Sequence, residues 1–489
     1  MLGILDFGAG ASPNTGKRKK NSLGQGTHIV SSICAEELGQ RPVPMHLDYS
    51  RPDVLLVGLY WWEHLYDLAK WLADHGINPL RSKRSASDPK IIAGGQLVSM
   101  NPAPASAIVD ACCIGDGEGV VAGLVDSALS GSPPPSWSAP GVYVSEAPAP
   151  TEWQHCDDIS STIRWPFYNS VTSVGTAGVR RTETFERRIE VARGCRKRCR
   201  FCGIAWTKKY LELPAGDVAA AIMAEPPRQN IKCFAPEPWL HSQWGDICAA
   251  FDSLGKKNQA RDMSARTALA VGFGNGGHYS VGIEGLSERL RRSLSKPLSN
   301  DSLVDLVEMA SGNSGQINLY LMCDLPGETR DDYAEFASAL ARVNLRTRPP
   351  SKRYHGPPGG FFITTTLNMF CPTPHTPMEL ESIRPDNTGL GGVFYDEIDR
   401  ALGPRDGRKL RVKILGRPHG PRSRVLEAAA LRGNEALGRY VCAMAPHRKR
   451  TWSADDCRVV ARRMGLDGYL ESAINGWSEG DKPWRMISV

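Results

Sequence analysis

Over the first 130 residues, short apolar runs alternate with amphipathic stretches. Gly3–Phe7, Val43–Leu47, Val54–Leu59 and Lys90–Ala93 have the length and apolar content of strands. Val54–Leu59 is apolar throughout, as a parallel strand covered on both faces must be. Ile108–Ile114 is a further run, closed by Gly115-Asp116-Gly117-Glu118. Between the strands, His28–Leu38 and His64–Asp74 read as helices, the first with Thr27 as its N-cap. Regular alternation of this kind predicts an α/β fold that opens with a doubly wound, Rossmann-like parallel sheet over residues 1–135.

The pattern changes next. GSPPPSWSAPG and APAPTEW are rich in proline, serine and alanine, which predicts a linker over residues 136–185. A second strand–helix series begins at Arg188–Val191 and runs to about residue 385. Residues 386–489 hold the helix candidates Val425–Ala436 and Ala454–Met464, so this region is expected to be mainly helical.

Composition adds limits. No run of 18 or more apolar residues is present, so no membrane span is expected. The start, MLGILDFGAG, has no signal-peptide pattern, and a reducing, cytoplasmic setting is the expectation. In that setting clustered cysteines suggest metal or redox chemistry, and most of the 13 cysteines are scattered. The net charge of +7 is uneven: Arg400–Arg450 holds fourteen Lys or Arg against three acids. That stretch is either a solvated basic surface or a contact for an anionic partner such as a nucleic acid.

The one tight cysteine cluster is VARGCRKRCRFCGIAW, with Cys195, Cys199 and Cys202 spaced Cys-x3-Cys-x2-Cys. A structural zinc site normally takes four ligands in pairs, and here three stand together. A cubane held by three thiolates leaves one iron open to a chelating ligand. Arg193, Arg196, Lys197, Arg198 and Arg200 crowd the loop, and cations favour the thiolate form. A zinc or purely structural site is the alternative.

The spacing, with Phe201 before the last cysteine, resembles the radical S-adenosylmethionine (SAM) superfamily signature. The resemblance implies a [4Fe-4S] cluster on Cys195, Cys199 and Cys202 and SAM on the open iron. An electron from an external donor of flavodoxin or ferredoxin type then cleaves SAM into methionine and a 5′-deoxyadenosyl radical. VGIEGLSERLRRSLSKPLS resembles the family stretch whose glutamate, here Glu284, lies near the SAM ribose. INLYLMCDLPGETRDDY and LNMFCPTPHTPMEL resemble later segments of the same partial (β/α) TIM-type barrel, which would span residues 186–385. In the second of these, Thr373 replaces a usual lysine. CFAPEP places Glu237 where the family often meets the SAM amino group, and Arg266 stands where a cation would meet the SAM carboxylate. Glu284 and Glu328 also suit plain helix N-terminal acids.

Lys90–Gly119 resembles the cobalamin-binding-type domain that precedes many radical SAM domains. Gly94, Gly95, Gly115 and Gly117 match its ligand-facing glycines, alongside Asn101, Pro102, Asp110, Asp116 and Glu118. The histidine motif of the best-defined cobalamin binders is absent, and His28 lacks its context. Cobalamin is therefore a cofactor that the resemblance allows without requiring. The tail, Arg424–Val441 and Leu466–Ile487, resembles an uncharacterised subgroup of such two-domain enzymes, with Asn434 in place of an aspartate. Three readings follow: a radical SAM enzyme acting on a substrate, a nucleic acid among the options; a cobalamin-dependent methyltransferase acting on a small molecule or peptide; and a non-catalytic iron–sulfur redox or assembly protein.

Overall fold

The computed structural model describes residues 1–7, 23–45, 51–174, 181–256, 260–274, 279–314, 316–346, 360–384, 390–404, 409–414, 424–445 and 452–489. Its first sheet contains β1 (Leu2–Asp6), β2 (Val43–Pro44), β3 (Val54–Gly58), β4 (Lys90–Gly94), β5 (Ala111–Cys113) and β6 (Val142–Val144). The order is β2-β1-β3-β4-β5-β6, parallel except for the antiparallel β6. Residues 46 and 47 of the expected second strand lie outside the described set.

Strand alternation explains the two apolar faces of this sheet. Leu2, Ile4, Val54, Leu56 and Ile92 join the helices Gln25–Glu37 and Val121–Leu129 in one core. Leu5, Leu55, Val57, Ile91 and Ala93 face the helix Trp62–Asp74 on the other side. The first helix begins at Gln25, capped by Gly24, three residues before the expected Thr27 cap. Thr27 is otherwise engaged: its hydroxyl donates to Asp6 Oδ2 at the end of β1 and to the Gly24 carbonyl.

The stretch expected as a linker is ordered where described. Besides β6 it holds β7 (Thr151–Glu152) and β8 (Phe167–Val174), and Trp137 is buried in the first domain. β8 runs antiparallel to β9 (Arg181–Glu190), which pairs in parallel with β12 (Asn230–Phe234). Two short strands, β10 (Ala192–Arg193) and β11 (Leu211–Glu212), bracket the cysteine loop. A second sheet continues in chain order with β13 (Asp262–Ser264), β14 (Tyr279–Glu284), β15 (Gln316–Cys323), β16 (Phe361–Met369) and β17 (Leu410–Ile414), all parallel. Lys232 on β12 pairs with Asp262 on β13 at 3.2 Å, so the two sheets meet side by side as a split partial barrel.

The region beyond residue 385 divides between the two domains. The helix Leu390–Leu402 and β17 complete the barrel sheet. The helices Arg424–Arg432, Glu435–Met444, Ala454–Arg463 and Asp467–Asn475 instead close the open face of the first domain, packing with Leu65, Leu68 and Leu72. The expected single helix Val425–Ala436 breaks at Gly433, where a Cβ would lie 2.2 Å from the Ala429 carbonyl. Asn434 caps the second helix by accepting from the Leu437 amide at 3.1 Å, as an aspartate would. β18 (Ile487–Ser488) pairs with β7.

Asn101, singled out in the Asn-Pro pair, fastens this arrangement. Its side-chain amide donates to the carbonyls of Leu431 at 3.1 Å and Gly433 at 2.8 Å. Asn101→Ala strips one buried and one part-buried carbonyl of their donor and should cost about 2 kcal/mol. Denaturant unfolding checks it; an unchanged midpoint would show that the tail is held by apolar packing alone.

Candidate functional site

The site forms where the carboxyl ends of β3, β4 and β5 face the start of the barrel. The cavity there measures about 550 Å³, within the range of small-molecule and cofactor sites. Its depth is apolar, with Ile4, Ile29, Leu56, Ile92 and Val121 running between sheet and helices. Gly94, Gly95, Gly115 and Gly117 line it, and Arg193, Gly194 and Phe234–Pro236 form the barrel side.

The four glycines divide by role. Gly95 and Gly115 have φ of 109° and 92°. A Cβ there would lie 2.6 Å from the Leu59 carbonyl and 2.3 Å from the Gln154 carbonyl, so they are required by the backbone. Gly94 and Gly117 are different: a Cβ at Gly94 meets only Cys113 at 4.0 Å, and one at Gly117 meets nothing within 4 Å. These two leave open space for a ligand. Among the described residues no histidine lines the cavity. His28 packs on the Phe167 ring at 5.6 Å instead. Tyr60 does line it, with its hydroxyl buried against Thr27 and Asp6 and its pKa pushed up by burial.

Gly194 carries the wall of this cavity straight into the cysteine loop. Cys199 is buried, while Cys195 and Cys202 are half-buried. Their thiols influence one another: Cys202 raises both of the others. Burial is the larger cause, and it pushes Cys199 up to about 11 although Lys296 pulls it down. Cys195 is raised by burial too, against Lys197. Nearby cations favour the thiolates, as expected, against the larger effect of burial. Several of those cations are engaged elsewhere: Arg196 lies over Tyr210, and Arg198 lies over Trp206. Among the described residues no three His, Cys, Asp or Glu side chains converge on a single metal-ion position. A cubane offers a separate iron to each thiolate, so its ligands stand wider apart than those of one zinc ion.

Two lysine–carboxylate pairs flank the loop. Glu237, just past β12, is buried and fully engaged. One of its oxygens accepts from the Ser264 amide at 3.0 Å and the Thr267 hydroxyl at 2.6 Å, and the other lies 3.3 Å from Lys197 Nζ. Glu284 ends β14 after a bulge, at φ 62°. It pairs with Lys296 Nζ at 2.8 Å. A Cβ at Gly282 would lie 2.8 Å from Glu284 Oε1 and 2.9 Å from Lys296 Nζ, so the pair sits directly over that glycine. Lys296 was not singled out from sequence; its only signal is a lone cation in the turn SLSKPLS. Arg266 stands apart. It is exposed and lines a surface depression with Leu269, Glu288 and Arg292, away from the thiols and both carboxylates. Glu328 is structural: it accepts from the Asp324 and Leu325 amides at 3.2 Å and from the Tyr333 hydroxyl at 2.6 Å. The closing segment reaches the loop as well, since a Cβ at Gly203 would lie 3.2 Å from Thr373 and 2.3 Å from Met100.

Arg193 joins cavity and loop. It pairs with Glu118 at 2.9 Å, Glu190 at 2.8 Å and Asp116 at 3.4 Å. Lys208 adds a second bond to Asp116 at 2.6 Å.

The basic stretch Arg400–Arg450 divides where described: Arg400, Lys409, Lys413 and Arg439 are exposed, and two arginines are internal. Arg424 and Arg432 are buried; Arg432 donates to the Ala473 and Glu379 carbonyls at 2.9 and 3.0 Å, and Arg424 pairs with Glu427 at 2.7 Å. Arg400 and Arg439 pair with Glu397 and Glu435 of their own helices. Arg405, Arg408, Arg417, Arg422, Arg448, Lys449 and Arg450 lie outside the described residues. No described helix is long and apolar enough to cross a membrane.

Comparison with known proteins agrees with the sequence. Residues 46–132 match the family described as radical SAM proteins, N-terminal. Over those residues the expected resemblance to radical SAM proteins is borne out. An uncharacterized protein of Methanocaldococcus jannaschii, MJ0966, is 22% identical over 287 residues. The alignment spans 57% of this chain and 57% of that protein. Among solved structures, the radical SAM methyltransferase TsrM from Kitasatospora setae, with tryptophan and a SAM analog bound, aligns at TM-score 0.48 and 10% identity over 95% of this chain and 99% of its own. The cobalamin-dependent SAM radical enzyme OxsB, with aqua-cobalamin and SAM bound, aligns at TM-score 0.41 and 12% identity over 72% and 53%.

The Asp116 clamp gives a pH prediction. Burial opposes its charge, but Lys208 and Arg193 outweigh burial and hold the carboxyl below its ordinary value. A depressed carboxyl stabilises the fold above the unfolded value near 3.8, and that gain is lost as pH falls through the folded value. Asp116→Asn should therefore lower stability at neutral pH and flatten its fall below about pH 4. Thermal melts across that range check it; parallel curves for both proteins would refute the clamp.

Proposed function

We propose that the chain is a radical SAM enzyme in which Cys195, Cys199 and Cys202 hold a [4Fe-4S] cluster. The observation that carries this reading is the thiol set itself: Cys195, Cys199 and Cys202 on one loop past the carboxyl end of β9, with Cys199 buried and the other two half-buried. When bound, the cluster supplies one-electron reductive cleavage of SAM. The chain's own residues hold and shield the centre. Phe201 and the Lys296 ammonium stand over the loop, with Nζ 6.0 Å from the ring centroid. Glu284, held by Lys296, presents a carboxylate at the end of β14 to a polar ligand. Glu237 braces Lys197, so its part is to position the loop.

The test is anaerobic reconstitution, reduction with dithionite and chromatography for 5′-deoxyadenosine. Production in the natural protein and loss of essentially all of it in Cys199→Ala are expected. Cluster binding without 5′-deoxyadenosine would favour a redox or assembly protein.

A second reading rests on the cavity. A ligand with an apolar tail and a broad polar head fits the slot and the open space at Gly94 and Gly117, and cobalamin has that form. The described lining holds no histidine, so the reading calls on no imidazole from it. Methyl transfer to a small molecule or peptide is the activity that goes with it. Gly94→Leu projects into open space and should spare the fold. It should weaken cobalamin uptake about tenfold or more, read by absorbance titration. No uptake by the natural protein under reducing conditions would remove this reading.

A further inference from the structure

We infer that a second cavity, which shares a wall with the first, binds a small aliphatic ammonium compound. It stands whether or not a cluster occupies the cysteine loop. The second cavity measures about 440 Å³, within the range of small-molecule sites. One side belongs to the first domain, with Ile33 and Glu37 of the helix Gln25–Glu37, Asp116 and residues 118–120. Residues 154–165, on the way to the barrel, supply the other side. Asp116 and Glu118 line both cavities and form the partition between them. Their cations, Arg193 and Lys208, line the first cavity and not the second.

Two independent observations point to a ligand. Ser161 lines the cavity and is only 7% exposed, yet its hydroxyl has no hydrogen-bond partner. A buried hydroxyl left unpaired is costly, and a ligand group that pairs it recovers that cost. The second observation is one-sided charge. Glu37 and Asp158 line the cavity and make no ion pair among the described residues. Glu118 accepts from Arg193 through Oε1 at 2.9 Å, and its Oε2 accepts from no described residue. Arg164 is committed to Glu36 and lies 4.7 Å from the Trp165 ring centroid. His155 is held below its ordinary pKa, chiefly by burial, so it adds no positive charge at neutral pH. Glu37 is also the last residue of its helix, where the helix dipole favours a cation and no basic side chain supplies one. No three metal-ligating side chains converge among the described residues, so an organic cation suits the cavity better than a metal ion. An ammonium group offers a full charge and three donors. Ile33, Val120 and Trp165 suit a short alkyl chain behind it.

Titration calorimetry of the full chain tests the site, with putrescine as the probe and 1,4-butanediol as its uncharged counterpart. At low ionic strength putrescine should bind with a Kd of about 1 mM or tighter, and the diol should give no heat. Glu37→Gln and Ser161→Ala should each weaken putrescine about tenfold. Ser161→Ala should leave the melting temperature unchanged or raise it, because it removes an unpaired buried hydroxyl. Weaker binding in that variant then reports the site and not a damaged fold. No binding of putrescine, equal binding of the diol, or unchanged affinity in either variant would overturn the inference.

Discussion

The site depends on one buried cation. Arg193 sits between the glycine loop of the first domain and the first strand of the barrel. Burial alone would depress its guanidinium, but Glu190, Glu118 and Asp116 outweigh that and keep it charged. A buried charge with three carboxylates is stable only while all of them stay in place, and removing a partner from such a set is far more costly than never having built it. The network therefore fixes Gly194 and the cysteine loop against Gly115–Glu118. The cavity and the thiols are two sides of one junction, and neither domain forms the site by itself.

Where chemistry is local, the sequence shows it. The cysteine spacing, the strand-end glycines and the apolar strand runs are all patterns of neighbours in the chain. Val54–Gly58 is covered on both faces, as its uninterrupted apolar run requires. Glu284 reaches the barrel mouth at the end of its strand.

The rest depends on distant partners. Thr27 looked like a cap because nothing nearby shows that Asp6 engages its hydroxyl. Arg424 and Arg432 added to a charge count suggesting a surface, yet they serve as internal braces. Lys296 gains meaning only once Gly282 brings it over Glu284. Amphipathic tail helices announce that they cover something, but the covered partner, the face with Leu65 and Leu68, lies in another domain. The proline-rich segment hid β6 and β7 because such short strands carry almost no periodic signal.

The bonds from Asn101 span 330 and 332 residues. During synthesis the first domain therefore emerges with one side of its sheet covered and the helix Trp62–Asp74 still bare. It must wait for the whole barrel to be translated before its cover arrives. At about 5–20 residues per second that interval is tens of seconds, long enough for exposed apolar surface to invite aggregation. Chain order thus makes the glycine-lined half of the site the first to be made and among the last to be finished.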